Sequence, residues 1–189
     1  GIVGAGGAGF PAYAKMTEKA DTVILNCVEC EPLLKLHRQL LATHTEEIIQ
    51  MLDEVRESFG AKEAVIGIKS EYVTTIKAIE EVIGDFPNVR ICALKAAYPM
   101  GDEVVLIYEA TGRVIKPGGL PIDENVVVYN VETMYNLYRA VHLNIPVTNK
   151  LVSIVGEIDH PLTVRVPLGT TVKEAISLAG KITVEDPAY

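Results

Sequence analysis

The sequence predicts an α/β fold: a parallel, Rossmann-like sheet over residues 1–146, followed by a partial β-grasp module over residues 147–189. Three observations carry this. Short apolar runs rich in β-branched residues stand at 22–28, 64–68, 89–94 and 126–129. Amphipathic stretches long enough for crossover helices separate them, as parallel strands require. After Pro146 the pattern changes to two alternating runs, 151–155 and 162–166, and one helix, 171–179.

The chain opens GIVGAGGAGFPAYAK, with five glycines in its first nine residues. Gly4, Gly6 and Gly9 have the G-x-G-x-x-G spacing, although only Gly1-Ile2-Val3 precede them where a dinucleotide fold has a strand. Backbone without Cβ atoms approaches a ligand closely. Pro11 suits the start of a helix over residues 10–20, and free N–H groups there favour an anion. The stretch reads as a phosphate cradle, or else as a glycine-rich turn that binds nothing.

Strand 22–28 ends in a loop at Pro32. A long amphipathic helix over 35–59 follows, stopped by Gly60. Strand 64–68, helix 72–83 with Gly84 at its end, and strand 89–94 come next. Helix 102–110, a KPGGLP turn at 116–121, strand 126–129 and helix 132–143 complete the first part.

The formal net charge is −8, which argues against nucleic acid or an anionic membrane surface as partner. No apolar run approaches the ~20 residues of a membrane helix, and no signal peptide is visible at the glycine-rich start. Three cysteines cannot all pair, so a reducing, cytoplasmic setting is expected, free or peripheral on the cytoplasmic face of a membrane.

Ligands of open α/β sheets sit beyond the carboxyl ends of the strands. Three polar clusters fall there: NCVECEP at 26–32, YPMGDE at 98–103 and NVET at 130–133. Each has a plainer reading, because Asp102, Asn130 and Thr133 also suit helix caps. Cys27 and Cys30 read as walls of the same crevice, and no histidine reads as a metal ligand.

The ordered motifs GAGGAGFP with Lys15, NCVECEP, YPMGDE and NVET resemble the flavin-bearing NADH dehydrogenase family. It includes the FMN subunit of respiratory complex I, the RnfC subunit of the Rnf complex and the RnfC-like cobalamin reductases. The RnfC-like forms are the nearer likeness, the cobalamin-reductase branch among them. Residues 151–176, LVSIVGEIDHPLTVRVPLGTTVKEAI, resemble the SLBB module of that family.

The resemblance implies an NADH-oxidising flavoprotein that uses FMN and NAD(P)H and passes electrons to an iron–sulfur segment or subunit. It places Gly4, Gly6 and Lys15 against FMN, and Asn26 and Glu29 at its ring and ribityl chain. Tyr98, Gly101 and Asp102 line the same pocket, and Asn130 and Thr133 hold its phosphate end. Gly7, Ala8, Phe10, Glu31 and Glu103 fall on the NADH side. Lys15 and Glu103 position the cofactors, and no other catalytic group is required, since hydride transfer belongs to the cofactors. Ala5 and Val28 depart from complex I, which has arginine and aspartate there. Two other readings remain: a flavin-free NAD(P) dehydrogenase with Glu29 on a ribose, and a non-enzymatic scaffold. Lys15 could also be a solvated surface lysine.

Overall fold

The structure, a computed structural model, describes residues 1–6, 9–16 and 19–185. Four parallel strands form the central sheet: β1 (Thr22–Cys27), β2 (Glu63–Lys69), β3 (Val89–Leu94) and β4 (Val126–Asn130). Their spatial order is β3-β2-β1-β4. Chain direction across the sheet therefore reverses between β1 and β4, which makes that junction the topological switch point. The register aligns Thr22 with Val126 and brings Asn26 beside Asn130 at the carboxyl ends.

Alternation along each strand fills two layers. Val23, Leu25, Ala64, Ile66, Val127 and Tyr129 pack under α2 (Leu36–Thr43), α3 (Thr45–Phe59), α4 (Val73–Val82) and α6 (Val131–Leu143). Ile24, Val65, Val126 and Val128 face α5 (Glu103–Thr111) and Ile115. A Cβ on Gly67 would stand 2.5 Å from Leu106 Cδ1, so glycine lets α5 lie close on β2.

Several predicted elements are cut differently. The helix expected over 10–20 is one turn, α1 (Ala12–Lys15). Before it the chain is held extended by the bridge between Val3 and Pro11, with Gly4 N donating to Phe10 O at 2.8 Å. The helix expected over 35–59 breaks at His44. The Thr43 and Thr45 hydroxyls donate to the carbonyls of Gln39 and Leu41 at 2.8 Å each, the competition that bends helices. The helix expected over 72–83 runs on into a 3-10 turn, Ile83–Asp85, which contains Gly84.

Beyond α6 come an antiparallel pair, β5 (Asn149–Ile154) and β6 (Leu162–Pro167), and α7 (Val172–Ser177). Thr171 and Glu174 form a capping box at the start of α7. Ile154, Ala175 and Ala179 make a small core of their own. Glu132 joins this unit to the sheet. Its carboxylate is buried at the start of α6, accepts from Leu151 N at 3.1 Å and pairs with the Lys150 ammonium.

Candidate functional site

A cavity of about 590 Å³ opens at the switch point between β1 and β4. Small-molecule sites span roughly 300–1,000 Å³. All four sequence motifs reach it. The glycine-rich stretch contributes Gly4, Gly6, Phe10 and Lys15. Asn26, Cys30 and Glu31 come from the end of β1 and the loop after it. Tyr98, Gly101, Asp102 and Glu103 come from the approach to α5, and Asn130 and Thr133 from the start of α6. Gly7 and Ala8 lie outside the described residues.

Two of the motifs cap helices and line the cavity with the same side chains. Asp102 Oδ1 accepts from Val104 N at 3.0 Å and Val105 N at 3.3 Å, which starts α5. Asn130 Oδ1 accepts from Glu132 N at 2.9 Å and Thr133 N at 3.3 Å, which starts α6. Thr133 is not a cap; its hydroxyl accepts from Ala5 N at 2.8 Å and ties the glycine loop to α6. The glycine loop and the start of α6 therefore form one continuous wall of the cavity. The single turn of α1 carries little dipole, since that effect needs several aligned peptides.

Glycine is obligatory at position 101. A Cβ there would lie 2.2 Å from Val28 O and 2.7 Å from Cys30 Sγ. Asn26 locks this contact, donating to Gly101 O at 3.0 Å while its Oδ1 accepts from Val28 N at 3.0 Å. Gly6 presses less hard, with a Cβ position 3.1 Å from Asn130 Nδ2.

Lys15 is not a solvated lysine. Its Nζ donates to Val128 O at 2.6 Å on the open edge of β4 and stands 5.2 Å from the Tyr129 ring centre. Burial pulls its pKa down from the ordinary value, and the Glu103 carboxylate pulls it back up. Burial also raises Glu103, against the attraction of Lys15. An ammonium has three donors, so Lys15 keeps hydrogens for a ligand after bonding Val128.

Two expectations fail on position. Glu29 does not line the cavity. It is buried below the loop, where Oε1 accepts from His37 N at 2.9 Å and Oε2 lies 3.7 Å from Arg38 Nε. Its Oε1 is therefore engaged in holding α2, while its buried Oε2 has no hydrogen-bond partner among the described residues. Cys27 is a core residue with no exposure, and burial pushes its thiol far up, so only Cys30 is a wall.

Sequence reading missed Tyr129 and His37, which also line the cavity. Tyr129 looked like one more apolar strand residue. Its hydroxyl is buried, has no partner among the described residues, and burial lifts its pKa to about 12, so it remains a donor. A buried orphan donor on a cavity wall calls for an acceptor from a ligand. That hydroxyl, the Lys15 ammonium and the glycine approach suit a polar, phosphorylated ring system such as FMN.

Residues 1–139 match the model of the Nuo51 FMN-binding domain, and residues 151–187 that of the SLBB domain. The chain belongs to the Nuo51 FMN-binding family. FMN is thus its cofactor. Cobalamin reductase PduS of Citrobacter freundii is 40% identical over 189 residues, 100% of this chain and 42% of that protein. One subunit of the Na(+)-translocating ferredoxin:NAD(+) oxidoreductase complex of Acetobacterium woodii is 32% identical over 98% of this chain and 43% of its own length. The chain therefore spans less than half of these curated relatives. Among solved structures, an NAD+-reducing [NiFe]-hydrogenase superposes with a TM-score of 0.79 at 26% identity, over 94% of this chain and 36% of the hydrogenase chain.

Proposed function

We propose that this chain is the flavin-binding portion of an RnfC-like oxidoreductase, taking electrons from NAD(P)H through FMN toward an iron–sulfur partner. The convergence of four separated motifs on one switch-point cavity carries the reading. The relatives' names support its direction, since they describe a cobalamin reductase, an NAD(+)-linked oxidoreductase complex and an NAD+-reducing hydrogenase. When bound, FMN supplies the conversion of a hydride pair into single electrons.

The residues themselves bind and orient. The glycine loop, Asn130 and Thr133 take the phosphate end, where the positive end of the α6 dipole favours an anion. Lys15 lies beside the ring system and stabilises negative charge there, in surroundings where burial strengthens the interaction. Tyr129 donates from the wall. Phe10 and Tyr98 are 53% and 84% exposed at the mouth and offer faces for a nicotinamide or adenine. Glu31 and Glu103 give that side polar acceptors. The division into two units at residue 146, and a cytoplasmic or peripheral place in a larger complex, belong to the same proposal. No helix among the described residues is long and apolar enough to cross a membrane.

The test is spectroscopic. FMN fluorescence should be quenched on mixing with the protein, and anaerobic NADH should then bleach the flavin absorbance. A tightly bound flavin that stays oxidised with both NADH and NADPH refutes the electron-entry role.

A further inference from the structure

His37 lies at the beginning of α2 and lines the cavity, yet nothing in the reaction described above uses it. Its Nε2 stands 2.9 Å from Asn130 Nδ2. The orientation of the Asn130 amide is not free. Both Glu132 N and Thr133 N point at its other terminal atom, which must therefore be the oxygen. The atom facing His37 is then an NH2 group, a donor only. Two donors cannot share a 2.9 Å contact, so Nε2 must present its lone pair and the ring proton must sit on Nδ1.

We propose that His37 is a positioning residue for the cofactor: a neutral imidazole, protonated on Nδ1, that accepts the Asn130 amide and holds it under the glycine loop. The main chain that carries the ring is fixed, because Glu29 Oε1 accepts from the His37 backbone N–H at 2.9 Å and Arg38 flanks the same carboxylate. Asn130 in turn supports Gly6, whose Cβ position is 3.1 Å from Nδ2, and caps the helix whose Thr133 receives Ala5 N. The chain of contacts runs from a buried glutamate through His37 and Asn130 to the loop that meets the phosphate.

The groups facing the ring are Glu29 and Glu31 from the loop after β1, Glu132 on α6 and Lys150 on β5. Burial is the largest influence and lowers the imidazole pKa. The three carboxylates oppose it and Lys150 adds to it. The neutral form that the geometry needs is thus the one the surroundings favour at neutral pH.

The consequence for cofactor binding rests on the FMN reading, but the tautomer does not, and the experiment separates them. A long-range ¹H–¹⁵N spectrum of the full chain without flavin, at pH 7.5, should show His37 with Nδ1 protonated and Nε2 bare. A proton on Nε2 overturns the inference whatever the cofactor. FMN affinity is then measured by fluorescence quenching. His37→Gln, which keeps an acceptor near the Nε2 position, should bind FMN about as tightly as wild type. His37→Leu should bind about tenfold more weakly, the loss of one buried acceptor. His37→Lys, a cation without an acceptor, should also bind weakly.

Equal affinity in His37→Leu, or recovery by Lys and not by Gln, overturns the positioning role; the latter would make His37 a charge anchor. If His37→Leu fails to fold, a folded His37→Gln that has lost FMN overturns it as well. A wild-type chain that does not quench FMN at all defeats the cofactor reading itself and this consequence with it.

Discussion

Gly6 and Gly101 show how far a single hydrogen in place of a side chain can matter, and they matter differently. Gly6→Val places branched methyls against Asn130, where even a Cβ stands 3.1 Å from Nδ2. FMN binding should be lost, with little change in the melting temperature. Gly101→Ala forces a Cβ to within 2.2 Å of Val28 O, a backbone atom. Overpacking of that kind costs about 1–3 kcal/mol, so this variant should melt several degrees lower in a thermal scan even without flavin.

His37 supplies a pH dependence with a definite sign. Its folded-state pKa is lowered from 6.5, so the unfolded chain binds the proton more readily. Stability from this group is complete above pH 6.5 and is lost as pH falls from there toward the folded value. Denaturant titrations of the flavin-free protein should show a slope that His37→Gln reduces. An unchanged slope in that variant would mean that other groups carry it.

At the scale of elements, the caps of α5 and α6 hold both structure and site. Asp102→Ala and Asn130→Ala should each cost about 1 kcal/mol in denaturant stability, the usual worth of an N-cap. Asn130→Ala should also weaken FMN, because it removes the amide under the loop. Most of this was legible beforehand. Apolar runs at 22–28, 64–68, 89–94 and 126–129 located all four strands to within a residue or so, since buried parallel strands are written as continuous β-branched segments. Twelve expected site residues, from Gly4 to Thr133, do line one cavity.

What was illegible depended on neighbours distant in sequence. Glu29 sits in a motif rich in polar residues, and only the fold shows that it serves the N–H of His37. The break at His44 follows from threonine hydroxyls, His44 stacking on Tyr135 and a 3.2 Å contact between His44 Nδ1 and Glu47 Oε1, none of which disturbs helical periodicity. Tyr129 is indistinguishable from its apolar strand neighbours until its hydroxyl is seen without a partner among the described residues.

For the whole molecule, the three cysteines are dispersed among the core, the cavity wall and strand β3. A cluster of the family's kind needs four closely placed thiolates. Purified protein should therefore contain no stoichiometric iron. With FMN and NADH it should reduce small dyes, but deliver electrons to a physiological acceptor only when a cluster-bearing segment or subunit is supplied. Stoichiometric iron, with a paramagnetic signal after reduction, would contradict this.

The pairing of Thr22 with Val126 joins parts of the chain about a hundred residues apart. Loop closure on that scale is entropically costly, and structures rich in such distant contacts assemble slowly. Strands β1, β2 and β3 can associate while β4 is still unplaced, but no half-assembled chain has a site, because Asn26 and Asn130 meet only when the last strand docks. Recovery of flavin quenching during refolding should accordingly lag behind recovery of helical circular dichroism, so that the cofactor acts as a timer for the completion of folding.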